Sequence, residues 1–293
     1  MSEMILKPAQ LDTQSFGQLQ INLTAELTYT PIENARVQIS YPGQPDRILD
    51  EVTTDASGRT PLIELPTPPK DYSLDPEASQ PYSDYSLAVT ASGYEKMVIN
   101  GTQMLSGETA IQPIQLLPQT IIPENDIVIP AHTLYAEYPP KIPESEVKPV
   151  ADTGEIVLSR VVVPETIVVH NGPPNDASAT NYYVPFADYI KNVASSEIYA
   201  TWPQNTIIAN VLAILSFTLN RIYTEWYRSK GYDFTITSST AYDHAFVPGR
   251  NYFESISEVV DTIFTNYLSR PLVRQPILTQ YCDGRRVSCP NWM

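Results

Sequence analysis

Glu197 is the residue of this chain whose surroundings could support acid chemistry. It lies in the segment SSEIYATWP, in the last turn of a helix predicted over 186–198, and it continues the apolar face of that helix. Burial and the negative end of a helix both disfavour an ionised carboxylate, so we expect a raised pKa for Glu197. A protonated carboxylic acid beside aromatic rings suits cleavage of a glycosidic bond, because the leaving oxygen needs a proton and the sugar packs on an apolar surface. A solvated glutamate at a helix end is the alternative.

Six further residues could line a cleft around this carboxylate. Tyrosine and arginine side chains stack on sugars or form hydrogen bonds with sugars and peptides, although aromatic residues also pack in protein cores. The six residues are Tyr199, Trp202, Tyr242, Asp243, His244 and Arg250. His244 could orient a substrate or bind a metal ion. No cluster of His, Cys and Asp stands out in the sequence, so we predict no metal and no cofactor.

Cys282 and Cys289 are the two cysteines of the chain and lie seven residues apart. A single pair is not a disulfide framework. Three interpretations stay open: unpaired thiols in a reducing compartment, a disulfide formed later outside it, or metal ligands together with a third partner such as His244.

The charge balance of the chain excludes one class of partner. Among 293 residues there are 33 acidic and 18 basic side chains, for a net charge of −15, and no basic stripe is present. Such a surface repels phosphate, so nucleic acid is excluded as a partner. The acidity is concentrated in residues 1–150, which hold 20 acidic and 8 basic side chains.

Two further features bear on location. The start, MSEMILKPAQ, lacks the basic and apolar regions of a secretion signal, so we expect synthesis in the cytoplasm without a signal peptide. The longest apolar run, 207–219, is interrupted by polar residues and is shorter than the ~20 residues that span a bilayer. It therefore predicts a core helix and no transmembrane segment.

The sequence pattern changes twice along the chain, which predicts a multidomain protein. Residues 18–117 consist of short alternating runs separated by turns, typical of an all-β sandwich of about seven strands. Residues 118–165 are rich in proline and acidic side chains and predict an extended linker. Apolar stretches such as IVIP could instead add strands of this linker to a neighbouring sheet. Residues 166–293 predict an α+β domain.

The predicted helices of the α+β domain have recognisable ends. They span 186–198, 205–231 and 253–268, and strands follow from PILTQY. Asn205 or Thr206 can cap the second helix, and Gly231 is a natural residue beyond its C-terminus. Pro203 ends the segment that follows the first helix.

Residues 18–117 resemble the carboxypeptidase regulatory-like, transthyretin-like sandwich family. The resemblance rests on PIENARVQI, the turn TTDASGRT, YSLAVTASGY and the terminal IQLLP. It implies that residues 1–118 form a non-catalytic module for folding or docking. The chain departs from the compact family pattern at 72–83, where a loop rich in Pro, Ser and Asp is inserted.

The stretch PFADYIKNVASSEIYATWPQNTIIANVLAILSFTLNRI is similar to the stage II sporulation protein D family, in which a helix, a Glu in a short A-S-E-like turn, a W-P pair and a long second helix recur in this order. The resemblance implies that Glu197 is the catalytic acid and base of a lytic transglycosylase, with Trp202 and Pro203 beside it. SSTAYDHAFVPGRN stands where a substrate-cleft segment is expected, and QPILTQYCDGRRVSC resembles the strand that closes the domain. Family members generally continue beyond Met293, so we expect the catalytic domain, 166–293, to be incomplete.

The order of sandwich, linker and this domain resembles the clostridial spore cortex-lytic enzymes, which are made as inactive pre-pro-forms. The resemblance implies that 1–118 is a pre-region and 119–165 a pro-region, cleaved by a subtilisin-like germination protease. It also implies that the partner is spore cortex peptidoglycan, that the protein is deposited at the spore cortex or coat, and that the MurNAc–GlcNAc bond is cleaved with closure of a 1,6-anhydro ring.

Two other functions are compatible with the sequence. The chain could be a non-catalytic protein that binds peptidoglycan or assists spore or envelope assembly. It could also be an amidase that acts on the stem peptide, although that chemistry needs a metal site or a nucleophile.

Overall fold

The computed structural model describes residues 15–75, 78, 80–119, 125–131, 134, 139, 141–142 and 158–281. Within these residues the chain is mostly β-sheet, with three mixed sheets and four α-helices. Cys282, Cys289 and the expected end of the domain near Met293 lie outside the described residues, as does most of the predicted linker.

Seven strands build the first part of the chain, in agreement with the predicted sandwich. Alternate side chains of each strand are buried, as in β1, where Leu19, Ile21 and Leu23 are buried. The strands are β1 (Ser15–Ala25), β2 (Arg36–Ser40), β3 (Ile48–Thr53), β4 (Ile63–Thr67), β5 (Ser83–Thr90), β6 (Met97–Met104) and β7 (Thr109–Leu116). A short helix, α1 (Lys70–Leu74), lies between β4 and β5.

Two sheets share the core of this part. One has the order β3-β2-β5-β6-β8, and the other has the order β12-β7-β1-β4, where β8 is Asn125–Val128 and β12 is Tyr252–Phe253. β8 comes from the predicted linker and pairs parallel with β6. Where the linker is described, it therefore adds a strand to a neighbouring sheet, which is the second of the two alternatives drawn from the sequence.

The second part of the chain is built around a three-stranded sheet and three helices. Its elements are β9 (Thr166–His170), β10 (Asn181–Pro185), β11 (Ile236–Thr237), α2 (Phe186–Glu197), α3 (Gln204–Tyr223) and α4 (Glu254–Ile263). β12 of this part pairs antiparallel with β7 of the first part. The larger of two hydrophobic clusters contains buried residues of both parts, and the smaller one lies within the second part. The division into separate domains stays a prediction.

The helix ends differ from the sequence expectations in three places. α3 begins at Gln204 without a side-chain cap, so the predicted cap at Asn205 or Thr206 is wrong. It ends at Tyr223, earlier than predicted, because the backbone of Glu225 turns to a φ of 45°. Gly231 instead follows a 3-10 helix, Arg228–Lys230.

The end of the described chain also differs. α4 ends at Ile263, five residues before the predicted end at 268. The predicted strand from PILTQY is wrong for the described part of that segment, since 277–281 has no strand pairing and only an isolated bridge joins Ser269 to Pro276.

The stretch Gln204–Lys230 is long and apolar enough, by length and composition, to cross a membrane. Most of its apolar window is buried inside the structure, where α3 packs against α2 and α4. Packing within the chain therefore accounts for the apolar composition of α3.

Candidate active site

Helix α2 carries Glu197 to the edge of the core. Its buried face includes Phe186, Tyr189 and Ile190, and Glu197 is its last residue. Ile198 then adopts an extended backbone while its N–H still donates to the carbonyl of Ala194. The carboxylate consequently lies at the negative end of the helix, as the sequence predicted.

Both oxygens of Glu197 are hydrogen-bonded within the chain. The backbone N–H of Ala245 donates to Oε1 at 2.7 Å, and the hydroxyl of Tyr281 donates to Oε2. The side chain is partly buried. Burial raises the pKa of Glu197 to about 7, against the opposing effects of the Ala245 N–H and the positive charge of Lys141. The carboxylate can therefore be protonated or ionised near neutral pH.

Asn192 fixes the loop that supplies the Ala245 N–H. Its Nδ2 donates to the carbonyl of Val247 at 2.7 Å, and its Oδ1 accepts the N–H of Val247 at 2.9 Å. Asn192 is buried on α2, five residues before Glu197, so the helix that carries the carboxylate also holds its backbone donor. Asn192 was not predicted, because it lies off the apolar face formed by residues 186, 190, 193 and 197, and helical spacing therefore gives no signal for its burial.

Asp243 anchors the same loop from its other side. Its Oδ1 accepts Nε of Arg221 at 2.8 Å, and its Oδ2 accepts the hydroxyls of Tyr227 and Thr237, each at 2.7 Å, and the Thr237 N–H at 2.9 Å. Burial alone would raise the pKa of Asp243, but Arg221 and these donors hold it below the usual value. The acceptor sites of this carboxylate are filled by the chain itself, and its predicted role in substrate binding stays a prediction.

His244 is buried between aromatic rings beside the loop. Its Nδ1 lies 3.2 Å from the hydroxyl of Tyr189, and its ring centroid is 4.5 Å from that of Phe217. The ring of Tyr281 lies at 6.5 Å and within 26° of parallel. Burial lowers the pKa of His244 to about 3, so the imidazole is neutral at physiological pH.

Trp202 and Arg250 form their hydrogen bonds toward the sandwich and linker. Nε1 of Trp202 donates to the carbonyl of Ser73 in α1 at 3.2 Å. Arg250 donates to Oε1 of Gln103 at 2.7 Å and to the carbonyl of Pro130 at 3.2 Å. In this conformation both side chains join the two parts of the chain, and their predicted contacts with substrate stay untested.

The two tyrosines of the predicted cleft lie in different settings. Tyr199 is buried, with its ring edge against Trp202 at a centroid distance of 6.0 Å. Tyr242 is half-buried, and its carbonyl accepts Nη2 of Arg221 at 3.3 Å. Among the residues predicted for the cleft, His244 lies near Glu197 through an intermediate side chain: its ring stacks near the ring of Tyr281, and the Tyr281 hydroxyl donates to Glu197.

The linker contacts the same loop through two consecutive residues. Nζ of Lys141 donates to the carbonyl of Asp243 at 2.9 Å, and the N–H of Ile142 donates to the carbonyl of Ala241 at 2.9 Å. The ammonium group lies close enough to Glu197 to lower the pKa of that carboxyl. Neither Lys141 nor Tyr281 was predicted for the site, since neither stands in a sequence pattern that marks it.

The residues that the structure describes contain no group of three or more His, Cys, Asp or Glu side chains that could hold an ion. The expectation that the chain binds no metal stays a prediction. The alternative in which Cys282 and Cys289 bind a metal together with His244 concerns two cysteines that lie outside the described residues.

Comparisons with known proteins give only limited likenesses. No protein-family model matches the chain, and no curated protein matches it. Among solved structures, the Bacillus anthracis TIE protein is 20% identical with a TM-score of 0.26, over 36% of this chain and 17% of that one. Klebsiella pneumoniae 5-hydroxyisourate hydrolase is 19% identical with a TM-score of 0.25, over 35% of this chain and 92% of that one. The Streptococcus agalactiae minor pilin GBS52 is 16% identical with a TM-score of 0.26, over 37% of this chain and 47% of that one.

Proposed function

We propose that this chain is the precursor of a peptidoglycan lytic transglycosylase in which Glu197 is both acid and base. The observation that supports this most directly is a carboxylate at the end of α2 whose pKa burial raises to about 7. A group with a pKa near the working pH can donate a proton in one step and accept one in the next. In a lytic transglycosylase a single side chain has to perform both proton transfers.

The proposed reaction is balanced with Glu197 alone. The carboxylic acid gives its proton to the glycosidic oxygen as the bond from that oxygen to C1 of MurNAc breaks. The carboxylate then takes the proton of the C6 hydroxyl as O6 bonds to C1, which closes the 1,6-anhydro ring. Water is not consumed, and the acid form of the enzyme is regenerated.

The hydrogen bonds of Glu197 assign different roles to its two oxygens. Oε1 accepts the backbone N–H of Ala245, so the acid form carries its proton on Oε2. Oε2 is also the atom that the hydroxyl of Tyr281 contacts. The reacting oxygen is thus covered by a side chain, which suits a precursor whose site is closed.

The contact of the linker supports a role for proteolysis. Lys141 places a positive charge near Glu197, and a nearby cation favours the ionised carboxylate, which cannot act as an acid. Cleavage within 119–165 by a subtilisin-like protease would free this segment from the loop at 241–243. We therefore propose that 1–118 is a pre-region, 119–165 a pro-region and 166–293 the catalytic domain.

The first part is proposed to be a transthyretin-like, carboxypeptidase regulatory-like module that docks onto the catalytic part. Gln103 and Ser73 support a docking role, since they accept hydrogen bonds from Arg250 and Trp202. Spore cortex glycan is the proposed substrate, and the resemblance to cortex-lytic enzymes is the reason for placing the reaction in germination and the protein at the cortex or coat.

The test is product analysis after proteolytic nicking. Cortex peptidoglycan is incubated with nicked wild-type protein, with Glu197→Gln and with Glu258→Gln, an exposed glutamate on α4. We expect anhydro-muropeptides from the wild type and Glu258→Gln but none from Glu197→Gln.

Other products would contradict the proposal in recognisable ways. Reducing sugar ends would indicate a hydrolase, and free stem peptides would indicate an amidase. Protein that sediments with peptidoglycan but releases nothing would indicate a non-catalytic wall-binding or assembly protein.

A further inference from the structure

Asn192 holds the loop 244–247 against α2 at two points of one residue. Its Nδ2 donates to the carbonyl of Val247 at 2.7 Å, and its Oδ1 accepts the Val247 N–H at 2.9 Å. The side-chain amide has one orientation that satisfies both bonds, since a flipped amide would set donor against donor and acceptor against acceptor. Asn192 is 3% exposed, so the pair of bonds is shielded from water.

A tight turn carries this restraint from Val247 to Ala245. The N–H of Phe246 donates to the carbonyl of His244 at 3.0 Å, which makes Ala245 the central residue of a three-residue turn. The ring of Phe246 also stacks on that of Tyr189, on α2, at a centroid distance of 5.8 Å. With both of its neighbours fixed, Ala245 presents its N–H in one direction.

That direction is toward Glu197. The Ala245 N–H donates to Oε1 at 2.7 Å, a short distance that is typical of a bond to a charged acceptor. Asn192 and Glu197 both belong to α2 and are five residues apart. The helix that carries the proposed acid therefore also sets, through Asn192, the position of the donor to that acid.

We propose that Asn192 is a positioning residue: by clamping Val247 it keeps the Ala245 N–H on Oε1 of Glu197, and it thereby leaves Oε2 as the oxygen that transfers the proton. The proposal rests on the proposed function for its catalytic meaning. Asn192 itself is not proposed to touch the reacting atoms and acts through the backbone of the loop.

Asn251 offers the comparison for a purely structural role. Its amide makes the same pair of bonds to one residue, donating to the carbonyl of Gln103 at 2.9 Å and accepting its N–H at 3.0 Å, and it is fully buried. Asn192→Ala and Asn251→Ala each leave two buried backbone groups unpaired, so we expect similar losses of stability. A structural role alone would therefore give the two variants the same behaviour at Glu197.

Other titratable groups on the elements around Glu197 are retained in both variants. The ammonium of Lys141 favours the ionised carboxylate, and the hydroxyl of Tyr281 contacts Oε2. The remaining groups are Tyr189 on α2 and Asp243 and His244 at the start of the loop. A difference in the titration of Glu197 between the variants therefore reports the Ala245 bond.

The first test is a carbon-13 NMR titration of the intact full chain with labelled glutamate, in which Glu197→Gln identifies the Glu197 signal. We expect Asn192→Ala to raise the pKa of Glu197 by about one pH unit, because the N–H that favours the ionised form is lost. Asn251→Ala should titrate as the wild type. An unchanged pKa in Asn192→Ala, or an equal rise in both variants, would overturn the proposal.

A second test needs no variant and covers the case in which Asn192→Ala does not fold. Amide hydrogen exchange in the wild type reports whether the loop opens separately from α2. We expect the N–H groups of Ala245 and Val247 to exchange within about tenfold of those inside α2, because the clamp joins loop and helix. Exchange at the rate of an unprotected loop would contradict the clamp.

Kinetics of protein nicked within 119–165 provide the third test. We expect Asn192→Ala to lower kcat on cortex about tenfold, the value of one lost hydrogen bond, with KM within about twofold. The alkaline limb of kcat/KM, which reports the acid of the free enzyme, should move to higher pH in Asn192→Ala and stay in place in Asn251→Ala. A raised KM with an unchanged kcat would assign Asn192 to binding and contradict the positioning role.

The outcomes for the proposed function and for Asn192 can be told apart. If nicked wild-type protein releases no anhydro-muropeptides, the proposed function fails, and the titration of Glu197 still decides whether Asn192 positions the donor. If the products form and require Glu197 while Asn192→Ala titrates as the wild type, the role of Asn192 alone is wrong.

Discussion

Arg221 and Asp243 form a buried ion pair, with Nε donating to Oδ1 at 2.8 Å and with side-chain exposures of 2% and 0%. The guanidinium also lies over the rings of Phe217 and Trp226, at 4.6 and 4.8 Å. The pair ties α3 to the loop that holds the Ala245 N–H against Glu197. Its integrity is therefore a condition for the geometry of the site.

Asp243→Asn should destabilise the fold by about 3 to 5 kcal/mol, because Arg221 would stay buried without its counter-charge. Urea unfolding at pH 7 measures this free energy. The matched control is Asp261→Asn, which breaks the ion pair between Asp261 and Lys191. Because the Asp261 side chain is 58% exposed, we expect this variant to lose less than about 1 kcal/mol of stability. Equal losses in the two variants would contradict a structural role for Asp243.

The stability gained from Asp243 depends on pH. Since its pKa is lowered in the fold, the contribution is complete above the unfolded value and is lost as pH falls through the folded value. The difference between wild type and Asp243→Asn should therefore be constant from pH 6 to 8 and shrink in acid below about pH 4.

Glu197→Gln should stabilise the fold at high pH. The folded pKa is raised to about 7 from a usual 4.5, so the wild type loses stability as pH rises between these values. We expect the variant to equal the wild type at pH 4 and to exceed it by about 1 to 2 kcal/mol at pH 8, reduced from the full linkage value by partial exposure. Denaturation curves at the two pH values test this, and a gain at pH 4 that disappears at pH 8 would reverse the assigned shift.

Gly249→Ala should destabilise the fold for two reasons. Gly249 has a φ of 77°, and an added Cβ would lie 2.6 Å from Cγ2 of Ile127 in β8. Gly93→Ala is the matched control, with a φ of 84° and no atom within 4 Å. We expect a loss of about 1 kcal/mol in Gly93→Ala and about 2 to 3 kcal/mol in Gly249→Ala. The double variant with Ile127→Ala should show non-additive losses in thermal unfolding, and strict additivity would exclude the contact.

Asn251→Ala should weaken the joint between the two parts of the chain. Asn251 is fully buried, and its amide both donates to the carbonyl of Gln103 and accepts its N–H, at 2.9 and 3.0 Å. Its loss leaves two buried backbone groups unpaired, at a cost of about 2 to 4 kcal/mol. After nicking in 119–165, the fragments of the wild type should co-elute in size-exclusion chromatography, and those of Asn251→Ala should separate at lower urea. Asn210→Ala, whose bond lies within α3, should behave as the wild type.

Local pattern was sufficient to predict the helix that ends at Glu197, while the catalytic role of this residue stays a prediction. The apolar spacing of α2 and the proline after it act over a few residues, and the helix Phe186–Glu197 follows the predicted 186–198 closely. The sandwich was predictable for the same reason, since alternation is a property of each strand by itself. The last turn of α3 was not, because a left-handed residue such as Glu225 leaves no periodic signal.

The partners of Glu197 could not be predicted, because they are remote in the chain. Tyr281 is 84 residues from Glu197, and Lys141 is 102 residues from the Asp243 carbonyl that it contacts. Such pairs are selected by tertiary packing, and the sequence on either side of them is unremarkable. Arg250 is a further remote contact that local pattern could not predict: it donates to Gln103 of the sandwich, 147 residues away, while its predicted role in substrate binding stays a prediction.

The pairing of β12 with β7 has a consequence for synthesis. Tyr252 pairs with Ile111 and Phe253 with Ala110, so the sheet that contains β1 lacks a strand until the chain has been made past residue 253. A sheet edge that waits in this way can pair with other chains. Most of the second part therefore has to be synthesised before the sheet of the first part is complete. A chain whose synthesis stops between β7 and β12 would expose the β7 edge, which could pair with other chains and aggregate.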